Sequence, residues 1–223
     1  MNKLPDFCNE GAPSDLRDPY PKTMLDLFCG LKGASAPFTP PEWGVVTVDI
    51  EEKFEPTIVR DLSKPEVYEE LYNHNPNYDF VWASPPCTHF SIAGVRFHWT
   101  PEGPSDETKE QIKMVEHLVE FCKRYPYFVI ENPRGMMRKL DIMKDLNRMT
   151  ITQCQYGNSF MKPTDLWGRF PPNWAPKPMC KRGAPCHTPA PRGTSGGVQS
   201  QKKGPIRSLT PYELADSFRK CYD

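Results

Sequence analysis

The chain has 223 residues, a length that suits one domain with at most a small appendage. It contains no apolar run long enough to cross a bilayer, and its 28 basic residues balance 28 acidic ones, so a membrane span and a large net charge are both excluded. The first residues lack the apolar core of a secretory signal and the eight cysteines are dispersed, so we expect reduced thiols in a cytoplasm.

Glycines after the first predicted strand and an acid at the end of the second form a pattern typical of nucleoside binding. The strand at 23–28 runs into Gly30 and Gly33, where the backbone can come close to a ligand. The strand at 45–50 brings Asp49 to its end, where an acid can hold ribose hydroxyls. Because the chain has no Gly-x-Gly-x-x-Gly, the pattern argues against a dinucleotide and is compatible with a cofactor without phosphates, such as S-adenosylmethionine.

A cysteine follows the strand predicted at 79–84. Pro85 and Pro86 cannot continue a sheet ladder, so the chain must turn there and Cys87 lies on a rigid corner. In open α/β sheets, ligands bind at this carboxyl edge of the strands. A thiol there can act as a nucleophile once its pKa is lowered, whereas a buried structural cysteine is the alternative interpretation.

A second candidate group, Glu131, ends the strand predicted at 127–130. Its apolar neighbours predict burial, which raises a carboxyl pKa and lets the protonated acid donate to a ring nitrogen. The alternative is a salt-bridged acid at a strand end. Between the two candidate groups, the linker 90–106 is too long for a passive connection, and such linkers are functional lids or disordered loops.

Strands alternate with helices along most of the chain, which predicts an α/β fold with a mainly parallel sheet. Ser63 is the expected N-cap of the first helix and Thr210 that of the last. The polar residues 1–21 are interpreted as an extended arm. The predicted strands are 23–28, 45–50, 57–60, 79–84, 127–130 and 150–156, and the predicted helices are 65–73, 108–124, 136–146 and 212–221.

Basic charge is concentrated late in the chain. Between Leu166 and Tyr212 there is no Asp or Glu but eight Lys or Arg residues, in a segment rich in Pro and Gly. An acidic body with a basic arm suggests a polyanionic partner for the arm. The alternative is a solvated loop with no partner.

The chain resembles the DNA cytosine-5 methyltransferase family. Any one of the matching motifs is weak, but together they occur in the family's order, which is specific. The five matching segments are 26–33, 48–50, 61–62, 84–91 and 131–133, with a weaker match at 156–164.

The resemblance implies a Rossmann-like, S-adenosyl-L-methionine-dependent methyltransferase fold. It implies that Phe28 stacks on the adenine of the cofactor and that Asp49 holds the ribose. The cofactor-binding residues that it implies are Phe28, Gly30, Leu31, Gly33, Asp49, Ile50, Asp61, Leu62 and Pro86.

The resemblance also implies methyl transfer to carbon 5 of a cytosine that is flipped out of double-stranded DNA. Cys87 would attack carbon 6, Glu131 would hydrogen-bond ring nitrogen 3, and Lys162 would complete the catalytic group. Segment 88–106 would close over the base as a lid. The substrate-contacting residues that it implies are Pro85, Ser91, Arg96, Asn132 and Thr164.

Three departures from the family pattern point to a compact, phage-like member, and one of them is Asn132-Pro133 in place of the commoner Asn-Val. Lys162 and Thr164 stand where the family has two arginines, so a planar fork is replaced by one point charge. The domain assignment is a catalytic domain at 1–168, a reduced basic target-recognition segment at 169–206, and a C-terminal helix at 207–223 that packs on the core. Such a short segment suits phosphate contact, so we expect a short or relaxed target sequence.

Cys180, Cys186 and His187 form a Cys-x5-Cys-His group in the basic segment. The spacing does not match a standard zinc knuckle, and the fourth ligand is not obvious, with Cys154 and Cys221 as candidates. We therefore expect no metal.

Two other functions remain open. One is methylation of cytosine in RNA, since one branch of the family modifies tRNA, and the other is a nucleic-acid-binding relative without turnover. Only the altered Lys162 and Thr164 favour the latter, and the intact Cys87 and Glu131 argue against it. The expected protein is a monomer without membrane contact in the cytoplasm, or in the host cytoplasm if it is phage-encoded as part of restriction-modification.

Overall fold

The apolar runs predicted to be strands build one sheet. The structure is a computed structural model and describes residues 20–181, 183–188 and 207–223. Its strands are β1 (Lys22–Leu27), β2 (Trp43–Asp49), β3 (Ile58–Val59), β4 (Phe80–Ala83), β5 (Trp99–Thr100), β6 (Gly103–Pro104), β7 (Phe128–Pro133), β8 (Asn147–Thr152) and β9 (Pro163–Arg169). Its α-helices include α1 (Pro65–His74), α2 (Val95–His98), α3 (Asp106–Cys122) and α4 (Tyr212–Arg219).

The sheet has seven strands in the order β3-β2-β1-β4-β7-β9-β8. β1 pairs in parallel with both β2 and β4, β4 pairs in parallel with β7, and β9 runs antiparallel between β7 and β8. The predicted α/β class with a mainly parallel, Rossmann-like sheet is therefore confirmed. The strand order reverses between β1 and β4, so the crevice at the carboxyl ends of these two strands is the topological switch point, where such sheets bind ligands.

The sequence pattern predicts no strand at β9, yet β9 pairs with both of its neighbours. It contains Pro163, Asp165 and Gly168, residue types that are depleted in strands. The fold accommodates them because Pro163 is the first residue of the strand and the fully buried Asp165 carboxylate accepts hydrogen bonds from Arg138. A Cβ at residue 168 would lie 2.0 Å from the Phe128 carbonyl oxygen, so this position requires glycine.

Five local predictions are wrong. The helix predicted at 136–146 is replaced by two 3-10 turns, Met136–Lys139 and Asp141–Met143, because Leu140 between them is extended. Ser63 and Thr210 are not N-caps: α1 begins after Lys64 and α4 after Pro211, neither with a side-chain cap. α3 instead begins after Ser105, whose hydroxyl accepts a hydrogen bond from the Thr108 amide, so this helix starts two residues earlier than predicted. The strand predicted to end at 156 ends at 152 and continues as a 3-10 turn.

Helices cover both faces of the sheet. On one face, α1 and α3 pack over the strands; of the predicted apolar stripe on α3, Val115, Leu118, Val119 and Cys122 are buried and Ile112 is half-buried. On the other face, α4 inserts Phe218, whose ring stacks on Trp174 with centroids 4.2 Å apart. Within the described residues, no helix combines the length and the apolar character that a bilayer span requires.

The predicted domain boundaries stay predictions. Of the segment 169–206, residue 182 and residues 189–206 lie outside the described part of the chain, as do residues 1–19 of the predicted N-terminal arm. The residues that are described after β9 lie against the sheet through Trp174, and α4 packs beside them.

Candidate active site

A cavity of about 330 Å³ opens at the switch point between β1 and β4. The carboxyl ends of parallel strands meet at one edge of a sheet, so the turn after β1, the corner after β4 and the end of β7 converge there. Eleven of the predicted site residues line this cavity: Phe28, Gly30, Leu31, Gly33, Asp49, Ile50, Pro85, Pro86, Cys87, Glu131 and Lys162.

The turn after β1 is held in shape by Asp49. One carboxylate oxygen of Asp49 accepts a hydrogen bond from the Gly30 amide at 2.9 Å, and the other accepts one from the Glu51 amide at 2.9 Å. Phe28 and Gly30 both have positive φ, at 57° and 47°, which is costly for phenylalanine. Asp49 therefore fixes an unusual backbone conformation at the place where the cavity begins.

The two glycines of this turn have different reasons to be glycine. A Cβ at Gly30 would meet no atom within 4 Å, so only the backbone conformation restricts this position. A Cβ at Gly33 would lie 2.5 Å from the carbonyl oxygen of Thr210, so the absence of a side chain at Gly33 lets the backbone of Thr210 pack against this turn. Ser208, Leu209 and Thr210 thereby form a wall of the cavity, although they follow β1 by about 180 residues.

The corner that presents Cys87 is hydrogen-bonded on two sides. The buried amide of Asn132 on β7 donates to the Pro85 carbonyl at 2.9 Å. The Phe90 and Ser91 amides donate to the Cys87 carbonyl at 3.1 and 2.8 Å. These bonds hold the backbone of Cys87 against β7, so the thiol has a fixed place on the cavity wall.

Burial dominates the electrostatics of the two candidate catalytic groups. It raises the pKa of the Glu131 carboxyl, while the charge of Lys162 acts in the opposite direction. Burial also raises the pKa of the Cys87 thiol, the charge of Glu131 adds to that rise, and Lys162 opposes it. The site thus favours a protonated acid and a protonated thiol at rest.

Lys162 is the cation that acts on both groups. Its ammonium lies 3.9 Å from Glu131 Oε1, beyond hydrogen-bond distance, and donates to the carbonyl of Arg207 at 3.1 Å. Within the described residues, Glu131 Oε1 is buried without a hydrogen-bond partner. A buried oxygen in this state can pair with a polar group that enters the cavity.

Asp26, which is not among the predicted site residues, also lines the cavity. Its Oδ2 accepts a hydrogen bond from Ser35 at 2.6 Å, whereas its Oδ1 is buried without a partner among the described residues. Burial raises the pKa of Asp26 to about 7. The sequence signal for Asp26 was its place in the first matching motif, 26–33.

Two predicted cofactor residues lie outside the cavity. Leu62 is 2% exposed and belongs to the hydrophobic core, where its carbonyl accepts a hydrogen bond from Tyr68. The Asp61 carboxylate accepts a hydrogen bond from the Ser63 amide in a local turn. Neither side chain is on the cavity wall.

Four predicted substrate residues are likewise off the wall. Asn132 and Thr164 are fully buried, and the Thr164 hydroxyl accepts a hydrogen bond from Gln153 at 3.2 Å. Ser91 forms a bridge with Gly135, and Arg96 is exposed on α2. Direct substrate contact by Asn132 or Thr164 does not match these buried positions.

A separate group of metal-ligating side chains lies apart from the cavity. Cys154, Cys180, Cys186 and His187 have their ligand atoms within 4.8 Å of one another, and none of the four lines the cavity.

No protein-family model and no curated protein matches the chain. Solved structures do match it. A candidate DNA modification methyltransferase encoded within an E. coli prophage has 15% identity and a TM-score of 0.46 over 66% of this chain and 46% of that one. The Entamoeba histolytica methyltransferase EhMeth has 14% identity and a TM-score of 0.48, and the match covers 73% of this chain and 57% of that one. A Spodoptera frugiperda DNMT2 mutant has 18% identity and a TM-score of 0.42, and the match covers 73% of this chain and 54% of that one.

This chain spans about half the length of each of those structures. The identities and TM-scores describe a likeness of fold and leave the activity to be argued from the residues of the cavity. In fold, the chain resembles solved methyltransferases.

Proposed function

We propose that the chain transfers a methyl group from S-adenosylmethionine to carbon 5 of cytosine in DNA. One observation carries the proposal: Cys87, Glu131 and the turn held by Asp49 line a single cavity. A nucleophile, an acid and a nucleoside-type site on one wall are the three parts that this reaction needs.

The cavity fits the cofactor by chemistry and size. Its volume lies in the range of small-molecule sites, about 300–1,000 Å³. Asp49 offers carboxylate oxygens for ribose hydroxyls, and the exposed side chains of Leu31 and Ile50 offer apolar surface for an adenine ring. The unpaired Asp26 Oδ1 offers an acceptor for an ammonium group. When bound, S-adenosylmethionine supplies an electrophilic methyl group.

Cys87 is assigned the role of nucleophile. After the thiol loses its proton, the sulfur bonds to carbon 6 of cytosine, and the electrons of the ring double bond move toward carbon 5, which can then accept the methyl group. A base later removes the proton of carbon 5, the double bond re-forms and the sulfur leaves. The hydrogen bonds around the corner hold the sulfur in place during both steps.

Glu131 is assigned the role of acid. Burial raises the pKa of the Glu131 carboxyl and so favours its protonated form, which can donate to ring nitrogen 3 and stabilise the charge that attack places on the ring. Donation from the neutral acid also removes the carboxylate charge that raises the pKa of Cys87. Asn132 is assigned a positioning role, because it holds the Pro85 carbonyl and does not reach the cavity.

Segment 88–106 is assigned the role of a lid over a flipped base. His89 Nδ1 lies 2.9 Å from the hydroxyl of Thr108 on α3, which attaches the segment to the core, and Trp99 Nε1 donates to the His89 carbonyl at 2.8 Å within the segment. Its tip is apolar and exposed: Ile92 is 70% and Phe97 66% exposed. Exposed aromatic surface suits stacking on bases, and carbon 6 of cytosine is out of reach in a stacked duplex.

Covalent trapping tests the proposal. A long DNA duplex in which every cytosine is 5-fluorocytosine removes the need to know the target sequence, because fluorine at carbon 5 prevents release of the sulfur. Incubation with S-adenosylmethionine should give an adduct that survives denaturing electrophoresis. Cys87→Ser should give none, whereas Cys221→Ser, a thiol away from the cavity, should match the native chain.

The same experiment separates the alternatives. An adduct with 5-fluorocytosine RNA but not with DNA would move the substrate to RNA. Binding without an adduct to either nucleic acid would indicate a relative without turnover and would contradict the proposed reaction.

A further inference from the structure

Four metal-ligating side chains converge from two distant parts of the chain. Cys154 lies in the 3-10 turn Gln153–Tyr156 that follows β8, whereas Cys180, Cys186 and His187 lie in the segment after β9. Three sulfur atoms and one ring nitrogen come within 4.8 Å of one another. This grouping is independent of the cavity and of the function proposed for it.

Three of the four separations below agree with the edges of a tetrahedron around one ion, and the fourth, between Cys180 and Cys186, is shorter. Cys180 Sγ lies 3.2 Å from Cys186 Sγ, and Cys186 Sγ lies 3.7 Å from Cys154 Sγ. His187 Nδ1 lies 3.5 Å from Cys180 Sγ and 3.6 Å from Cys186 Sγ. Zn–S bonds of about 2.3 Å and a Zn–N bond of about 2.0 Å require tetrahedral edges of about 3.8 Å between sulfurs and about 3.5 Å between sulfur and nitrogen. A disulfide would need about 2.05 Å.

We propose that these four residues bind one structural zinc ion. Three thiolates and an imidazole are the ligand types that zinc prefers, and four protein ligands leave no open position, as in closed structural sites. His187 binds through Nδ1, the ring nitrogen that faces the sulfurs. The site is therefore of the Cys3His class.

The surrounding hydrogen bonds hold the ligands in place. The Cys180 amide donates to the Thr152 hydroxyl at 2.8 Å, and the Gln155 side-chain amide donates to Cys186 Sγ at 3.4 Å. After the last ligand, the Thr188 amide donates to the Ser159 carbonyl at 2.8 Å. Such outer contacts orient ligands and are a regular part of metal sites.

The structure also explains why the spacing alone predicted no metal. Three of the ligands lie within eight residues, but the fourth precedes them by 26 residues and is separated from them by β9. The other candidate, Cys221, lies after α4 in the 3-10 turn Lys220–Tyr222, and its thiol donates to the Ser217 carbonyl. Only the fold selects Cys154.

The zinc would attach the start of the basic segment to the core. It cross-links residues 180–187 to the turn after β8, on the side of the sheet where Lys177 also bonds to Gln155 and Glu213. Trp174 stacks on Phe218 through a contact that involves none of the four ligands. Loss of zinc should therefore free the chain near Lys181 and leave the α/β core folded.

Metal analysis of the purified chain tests the site. The native chain should carry one zinc per molecule, with all three cysteines free of disulfide. Cys180→Ser, Cys186→Ser and His187→Ala should lower the zinc content by about tenfold or more, while the matched controls Cys221→Ser and His117→Ala keep it. Because a ligand variant could fail to fold, X-ray absorption on the native chain gives a second test: three sulfur ligands at about 2.3 Å and one nitrogen at about 2.0 Å.

Limited proteolysis measures whether the zinc holds the chain near Lys181 in place. Chelation of the native chain should accelerate tryptic cleavage after Lys181 at least about tenfold and leave the circular dichroism of the core unchanged, and added Zn²⁺ should reverse the effect. A native chain that is folded and free of metal, a Cys180–Cys186 disulfide, or zinc that stays in the Cys180→Ser variant would each overturn the proposal.

Discussion

The chain places cysteines in two contrasting environments, the cavity edge and the cluster after β9. Cys87 is a single thiol on a corner that is hydrogen-bonded to the sheet, beside a buried acid and a lysine. Cys154, Cys180 and Cys186 are grouped with an imidazole at distances set by two connecting segments. The comparison shows that neighbours decide the use of a thiol: an isolated sulfur facing a cavity is suited to attack, whereas sulfurs facing one another are suited to hold an ion.

Exchanging the cysteines one at a time is the strongest way to break this comparison. Cys87→Ser should reduce methyl transfer by a factor on the order of 10³ or more, as expected for loss of a nucleophile, and should keep its zinc. Cys180→Ser should show the opposite pattern: it should lose its zinc, and its Cys87 should still form the covalent adduct. Single-turnover methylation and metal analysis on the same preparations measure both effects. If Cys87→Ser loses zinc, the two environments are not independent.

Glu131 is the next test of the cavity edge. Glu131→Ala should lower the rate of adduct formation by about 10²–10⁴, the usual contribution of a positioned acid. Glu131→Gln keeps a group that can donate to ring nitrogen 3, so its loss should be smaller. Equal losses in both variants would contradict the role of Glu131 as a hydrogen-bond donor. Thermal unfolding of each variant controls for the fold.

Asn132 tests how the corner is held. In Asn132→Ala the Pro85 carbonyl loses its donor in a buried place, so the free energy of unfolding should fall by about 1–3 kcal/mol. Adduct formation should slow as well, because the thiol is no longer fixed against β7. The comparison variant is Asn158→Ala, since Asn158 donates to Gln153, away from the cavity wall. Denaturant unfolding and trapping rates check both parts. Normal trapping in a destabilised Asn132→Ala would leave Asn132 a purely structural role.

The contrast also shows what the sequence could predict. Apolar runs located the parallel strands to within about two residues, and motif order located Asp49, Cys87 and Glu131, because strand ends of one sheet converge whatever the loops do. β9 could not be predicted, because its buried Asp165 is stabilised by Arg138, a partner that no local pattern reveals. For the same reason, only the fold brings Cys154 to the metal-ligating cluster and Thr210 to the cavity wall.

Lys162 gives the smallest and most specific prediction, a shift along the pH axis. Attack requires the thiolate, and the pKa of Cys87 is raised, so the trapping rate should climb with pH through the ordinary range of a thiol and beyond it. The charge of Lys162 lowers that pKa, so Lys162→Met should raise it further and move the rising limb to higher pH.

The same substitution also raises the pKa of Glu131 and so favours its protonated form, because Lys162 acts to lower that pKa. Lys162→Arg retains the charge, so the rise of the trapping rate should occur at the same pH as in the native chain. The maximal trapping rate should be lower, because the guanidinium cannot reproduce the bond to the Arg207 carbonyl unchanged. Single-turnover trapping rates across a pH series for the three chains measure the shift. A pH dependence that stays in place in Lys162→Met would show that burial and the charge of Glu131, without Lys162, set the pKa of Cys87.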